Sequence, residues 1–118
     1  MKRILIFLLL VCMTLAAAAQ KKTKAGGNIK WKNVRVLVYT KNGKGYVHEN
    51  RAAGTAAIQQ LGKQYGFAVD VSDDASSFTE DNLKKYAVLI FNNTNNETFD
   101  TDEQKVAFMR YIQAGGGF

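Results

Sequence analysis

The chain has 118 residues, 47% of them hydrophobic and 22% charged, with a net charge of +6, one cysteine and no proline. That length holds one small domain rather than several. A lone cysteine excludes an internal disulfide framework or a multi-cysteine metal site, and without aromatic interleaving or a binding motif the basic surplus does not argue for nucleic acid.

Met1-Lys2-Arg3 reads as a basic n-region and Ile4 to Leu15 as an apolar h-region, followed by "AAAAQ" at 16–20. This pattern predicts a signal peptide over residues 1–19, cleaved after Ala19, and hence a periplasmic or secreted chain. The apolar run is short for a membrane span, so no stable membrane anchor is expected after cleavage. Cleavage removes Cys12 together with Lys2 and Arg3, which lowers the net charge from +6 to +4. Residues 20–33 then read as a basic linker with "KKTK" at 21–24, "AGGN" at 25–28 and "KWK" at 30–32. Trp31 is expected to pack against the bottom of the sheet.

"VRVLVY" (34–39) is apolar at nearly every position, as suits a strand buried on both faces of a parallel sheet. Residues 51–65 carry Ala57, Ile58, Leu61 and Tyr65 at helical spacing, with Gly66 placed as a left-handed C-terminal cap. Gly54 and Gly62 lower helix propensity inside this segment, and close approach of the helix to the sheet would compensate. "FAVDV" (67–71) is interrupted by Asp70 and reads as an edge strand. Thr79 opens a short helical turn over 80–85, with Phe78 and Leu83 as a hydrophobic staple. "YAVLIF" (86–91) is a third buried strand. A final helix starts near Thr101, where Thr101 and Gln104 form a capping box, and its apolar stripe is predicted at Val106, Met109 and Ile112, with Phe108 beside it.

This order, β-α-β-(short α)-β-α, predicts an α/β fold: a three-layer doubly wound parallel sheet of flavodoxin type, with the first strand between the second and third. Strand 86–91 would lie at an open apolar edge unless another strand paired with it. Gly115 fits a C-cap and Phe118 the opening of a fourth strand, so the chain is expected to be the N-terminal part of a longer domain, truncated after the third strand and its following helix.

Ligands of such sheets collect beyond the carboxyl ends of the strands, where the winding reverses. That places a site between the loops "TKNGKGYVHEN" (40–50) and "NNTNNETF" (92–99). His48 precedes the first helix and suits an acid/base or hydrogen-bonding role, or else a surface or capping one. Thr40, Asn92, Asn93 and Thr94 offer the hydroxyls and amides that hold sugar hydroxyl groups; turn formation explains the asparagines equally well. "NGKG" (42–45) lacks the dinucleotide and Walker spacings. The acidic residues 73–74 and 100–103 lack metal-loop spacing, so neither metal nor cofactor is expected.

From Val34 to Phe118, and most specifically in "GYVHEN", "ASSFTEDNLKKYAVLIF" and "YIQAGGGF", the chain resembles the ThuA-like, or trehalose-utilisation, domain family. The resemblance implies a class I glutamine-amidotransferase-like fold, with residues 34–118 as the N-terminal part of the domain. It implies a carbohydrate or other small polar ligand, with His48 matching the family's loop histidine and Asn93 and Thr94 the polar end of the third strand. Family members continue past Gly-Gly-Gly-Phe into a strand and a Gly-x-His turn, where true amidotransferases carry their cysteine. A non-catalytic module within a larger glycan-handling protein is the alternative reading.

Overall fold

The computed structural model describes residues 28–118; the signal-peptide reading of 1–19 and the first part of the basic linker fall outside them. A strand with no polar face can be accommodated only in the interior of a sheet. Accordingly β1 (Arg35–Tyr39) takes the central position, and β2 (Ala68–Ser72) and β3 (Val88–Phe91) pair with it in parallel, in the order β2-β1-β3. The register sets Val36 beside Val69 and Val88, and Leu37 beside Asp70 and Leu89. From Val36 to Tyr39 no residue is more than 5% exposed. The α/β class and the strand order match the expectation from sequence, including the edge position of the strand that carries Asp70. There, at the edge, Asp70 accepts a hydrogen bond from the Tyr86 hydroxyl (2.9 Å) and pairs with Arg35 (3.3 Å).

Each strand starts one or two residues later than its apolar run. Val34 closes a 3-10 turn over Trp31–Asn33, and Tyr86 donates its N–H to Leu83 as the tail of a helical turn. Trp31 packs on Tyr65 and Phe67, at ring separations of 5.9 and 5.8 Å.

The pleat sends alternate residues to opposite faces. Leu37, Tyr39 and Leu89 meet Ala75, Phe78, Leu83, Ala107 and Tyr111, which come from the turn before α2 (Glu80–Leu83), from α2 itself and from α3 (Asp102–Gln113). Phe91, Phe99 and Phe108 extend this cluster with edge-to-face and tilted ring contacts, Tyr39 to Phe78 being 4.6 Å. Val36 and Val38 turn to the other face, where α1 (Arg51–Tyr65) lies against β2. Three layers result. Among the described residues no helix is long and apolar enough to cross a membrane.

The helix boundaries follow their caps. Thr79 and Thr101 accept from the backbone of Asn82 and Gln104, the latter within the predicted capping box, and Gly66 ends α1 at φ 81°. The predicted inward faces, however, hold only in part: Ile58 on α1 and Phe108 beside the α3 stripe are half-buried, but most of the other predicted residues turn outward. On α1, Leu61 and Tyr65 are 45% and 51% exposed, whereas Gly62 is buried. A Cβ on Gly62 would lie 2.7 Å from Val69 Cγ2 and 2.9 Å from the Phe67 carbonyl. The helix therefore approaches β2 through its small residues, and its larger ones turn outward. On α3, Ala107 and Tyr111 are buried, whereas Val106, Met109 and Ile112 are 42%, 56% and 38% exposed. Tyr111 wins the inward position because its ring fills the space beneath the glycine turn: a Cβ on Gly116 would lie 2.2 Å from that ring, and the hydroxyl sits 3.3 Å from the Tyr86 carbonyl and 3.2 Å from that of Gly117.

Gly115 takes φ 91°, which lets the chain reverse after α3. Gly117 then pairs in parallel with Val88, donating to Ala87 (3.0 Å) and accepting from Leu89 (2.9 Å). Phe118 packs on Phe91 and Phe108 at 5.0 and 5.1 Å.

Gly62→Ala is expected to lower stability by about 1–2 kcal/mol, the overpacking at Val69 outweighing the gain in helix propensity. A shift of the urea midpoint with unchanged slope checks this, and an unaltered or raised midpoint contradicts it. Burial, followed by the carboxylates of Asp100, Asp74 and Asp73, pushes the Tyr39 hydroxyl above its ordinary range; burial likewise raises Tyr86 and Tyr111. These groups bind protons more tightly folded than unfolded. Their contribution is complete below the ordinary tyrosine value of about 10 and is lost as pH rises towards the folded values. The thermal midpoint should therefore fall as pH rises above about 10, and fall less in Tyr39→Phe.

Candidate functional site

Thr40 follows Val38 by two residues and Asn92 follows Ile90 by two, so the pleat turns both towards α1 at the carboxyl ends of β1 and β3. Both are almost fully buried, at 9% and 8% exposure. Asn92 donates its backbone N–H to the Tyr39 carbonyl (2.9 Å). Its side-chain amide donates to the Arg51 carbonyl (2.8 Å) and the Thr55 hydroxyl (2.9 Å), and its Oδ1 accepts from Asn93 (2.8 Å). Thr40 donates its N–H to the Ser72 carbonyl (2.9 Å), while its own carbonyl accepts from the Arg51 guanidinium (3.0 Å). The first turn of α1 is thus held to the ends of β1 and β3 by side chains rather than by the sheet ladder.

Room for this arrangement comes from Gly54, whose Cβ would fall 2.8 Å from Asn92 Oδ1. Arg51, Gly54 and Thr55 were not singled out as site residues from the sequence. The available signal was parity: the residue two beyond the last valine or isoleucine of the strand faces the same helix, and the first turn of that helix must answer it.

The two polar loops selected from the sequence lie against each other. Gly43 donates to the Asn95 carbonyl (3.0 Å), the Asn95 and Asn96 side chains donate to the Tyr46 and Lys44 carbonyls, and Lys41 pairs with Asp100. A Cβ on Gly43 would meet the Glu97 amide nitrogen at 2.6 Å, so this contact requires glycine. Asn42 donates to the Tyr46 carbonyl (3.0 Å), while its own Oδ1 is buried with no partner. Asn93 and Asn96 adopt φ 55° and 52°, left-handed conformations that asparagine tolerates. The turn-forming explanation therefore accounts for these two backbones, and Asn92 serves as a clasp. Thr94 is half-buried in the same loop, next to Asn93.

His48 lies on the exposed part of the first loop, its ring edge-on to Tyr46 at 5.2 Å, and its carbonyl accepts the Arg51 N–H (3.2 Å). Among the described residues no three His, Cys, Asp or Glu side chains gather as a metal site. A cleft of about 540 Å³ lies at the opposite end of β3, between α2, α3 and Gly115–Gly116, away from these loops.

Asn92→Ala removes two buried donors and is expected to destabilise by about 1–3 kcal/mol. Gly54→Ala alone should also destabilise, by collision with Asn92. In the Asn92→Ala background the same change should be neutral or stabilising, because the collision is gone and alanine favours helix by about 1 kcal/mol. Additive urea midpoints for the four proteins would disprove the clasp.

The sequence profile of the ThuA family, described as trehalose utilisation, matches residues 35–118. Among solved structures, a ThuA-like protein from Bacteroides uniformis is similar at 26% identity and a TM-score of 0.59, over 79% of this chain and 37% of that one. The chain thus spans little more than a third of that protein's length. No curated protein matches it. The chain belongs to the ThuA, or trehalose utilisation, family.

Proposed function

We propose that this chain is a secreted carbohydrate-handling protein that binds a sugar or sugar-derived ligand in the crevice between the loops after β1 and β3. Membership of a family described by trehalose utilisation supports a carbohydrate-related role. The observation that carries the location is the meeting of two polar loops at the point where the winding of the sheet reverses, tied through Gly43 and Asn95. Asn93 and Thr94 hydrogen-bond ligand hydroxyls from the β3 side, and His48 faces the ligand from the first loop as a hydrogen-bonding group or acid/base. Thr40 and Asn92 shape the floor of the crevice, their polar groups being engaged with Ser72, Arg51, Thr55 and Asn93.

Calorimetric titration of the full chain with trehalose and glucose tests this reading. His48→Ala and Asn93→Gly, the latter chosen to keep the left-handed backbone, should each weaken binding by about tenfold, the loss of one or two hydrogen bonds. Absence of binding at millimolar sugar, or affinities unmoved by both changes, refutes the site. Sugar turnover that vanishes in His48→Ala would assign His48 a catalytic role; binding without turnover favours a non-catalytic module.

A further inference from the structure

Arg51 stands apart from the other arginines of the described residues. Arg35 pairs with Asp70, and Arg110 pairs with Glu80. Arg51 pairs with no carboxylate among those residues, although it is half-buried. Its guanidinium donates to the Thr40 carbonyl through one terminal nitrogen (3.0 Å). A guanidinium carries five N–H donors in a planar fork, so most of its capacity is open. The side chain lines a groove of about 300 Å³ between α1 and the carboxyl ends of β1 and β2, together with Thr40, Thr55, Gln59 and Val71. No Asp or Glu lines that groove. Its size is at the lower end of the about 300–1,000 Å³ typical of small-molecule sites.

A half-buried cation is stabilised by an anion that can accept from its fork. Nothing in the groove supplies one; the neutral Thr55 and Gln59 side chains offer only hydroxyl and amide groups beside the charge. We propose that this groove is an anion subsite, in which Arg51 receives a carboxylate or phosphate carried by the sugar ligand. The inference rests on the sugar-binding reading of the neighbouring crevice, with which the groove shares Thr40. The guanidinium fork matches a carboxylate and a phosphate oxygen pair alike, so the shared chemistry is an anionic sugar. Lysine would provide the charge without the fork.

The test titrates the full chain with glucose, glucuronate, glucose 6-phosphate and acetate, following heat and the Arg51 Nε–H resonance. At least one anionic sugar should bind about tenfold or more tightly than glucose, with the advantage shrinking as salt rises. The two anionic probes separate carboxylate from phosphate. Arg51→Gln should abolish the preference, weakening the anionic sugar about tenfold more than it weakens glucose, and Arg51→Lys, which keeps the charge and guards against a folding defect, should retain only part of it. Equal affinities for glucose and both anionic sugars overturn the subsite and leave the sugar reading standing. A shift of the Arg51 resonance by acetate without binding of any sugar overturns the sugar reading instead, and no response to any probe overturns both.

Discussion

The structure depends on Val36–Tyr39 of β1 having no route to water. The edges of this stretch are closed by β2 and β3 and its faces by helices, so each of its groups must be satisfied by a neighbour. The register then follows: with Val36 set beside Val69 and Val88, the valines of all three strands fall on the α1 face, and Leu37, Tyr39 and Leu89 fall on the face of α2 and α3. The same parity carries beyond the ends of the strands. Thr40 and Asn92 continue the α1 face into the loops, where polar groups replace the apolar row and require polar partners.

The clasp between Asn92 and α1 meets that requirement. A side-chain amide that reaches Arg51 and Thr55 can do so only where the helix comes close, and Gly54 and Gly62 permit that approach at its two ends. The glycines lower the intrinsic stability of the helix, and tertiary packing compensates. The opposite face is dominated by the aromatic cluster, with hydroxyl contacts such as Tyr39 donating to the Thr98 carbonyl and Ser72 bonded to Ser77 (2.8 Å). The two faces of the sheet thus differ in balance: a side-chain amide clasp on the α1 side, and mainly ring packing on the other. Both support the loops at the carboxyl ends, α1 from beneath Asn92 and Thr40, and the aromatic face through Tyr39 and Phe99.

Much of this was legible in the residues. Strand order followed from the contrast between the unbroken apolar run at 34–39 and the interruption at Asp70. Caps were readable because Thr79, Thr101 with Gln104, and Gly66 act through local backbone geometry. The two loops of the candidate site were found by topology, without knowledge of any side-chain contact. Helix faces were less legible. Hydrophobic spacing pointed to Leu61 and Tyr65 on α1 and to Val106, Met109 and Ile112 on α3, while the helices turned other residues inward. Spacing counts apolar side chains but does not measure how closely a backbone can approach, and on α1 proximity favoured glycine over leucine.

The sequence by itself determined the α/β class, the parallel order of the strands, the capping residues and which two polar loops follow the first and third strands, because these follow from local backbone preferences and the period of the apolar residues. Tertiary structure alone decided which helix faces turned inward, that Asn92 became a clasp, and that Arg51 pairs with no carboxylate among the described residues. Those outcomes depend on distances between residues far apart in the chain, such as the approach of Gly54 to Asn92, which periodicity does not encode.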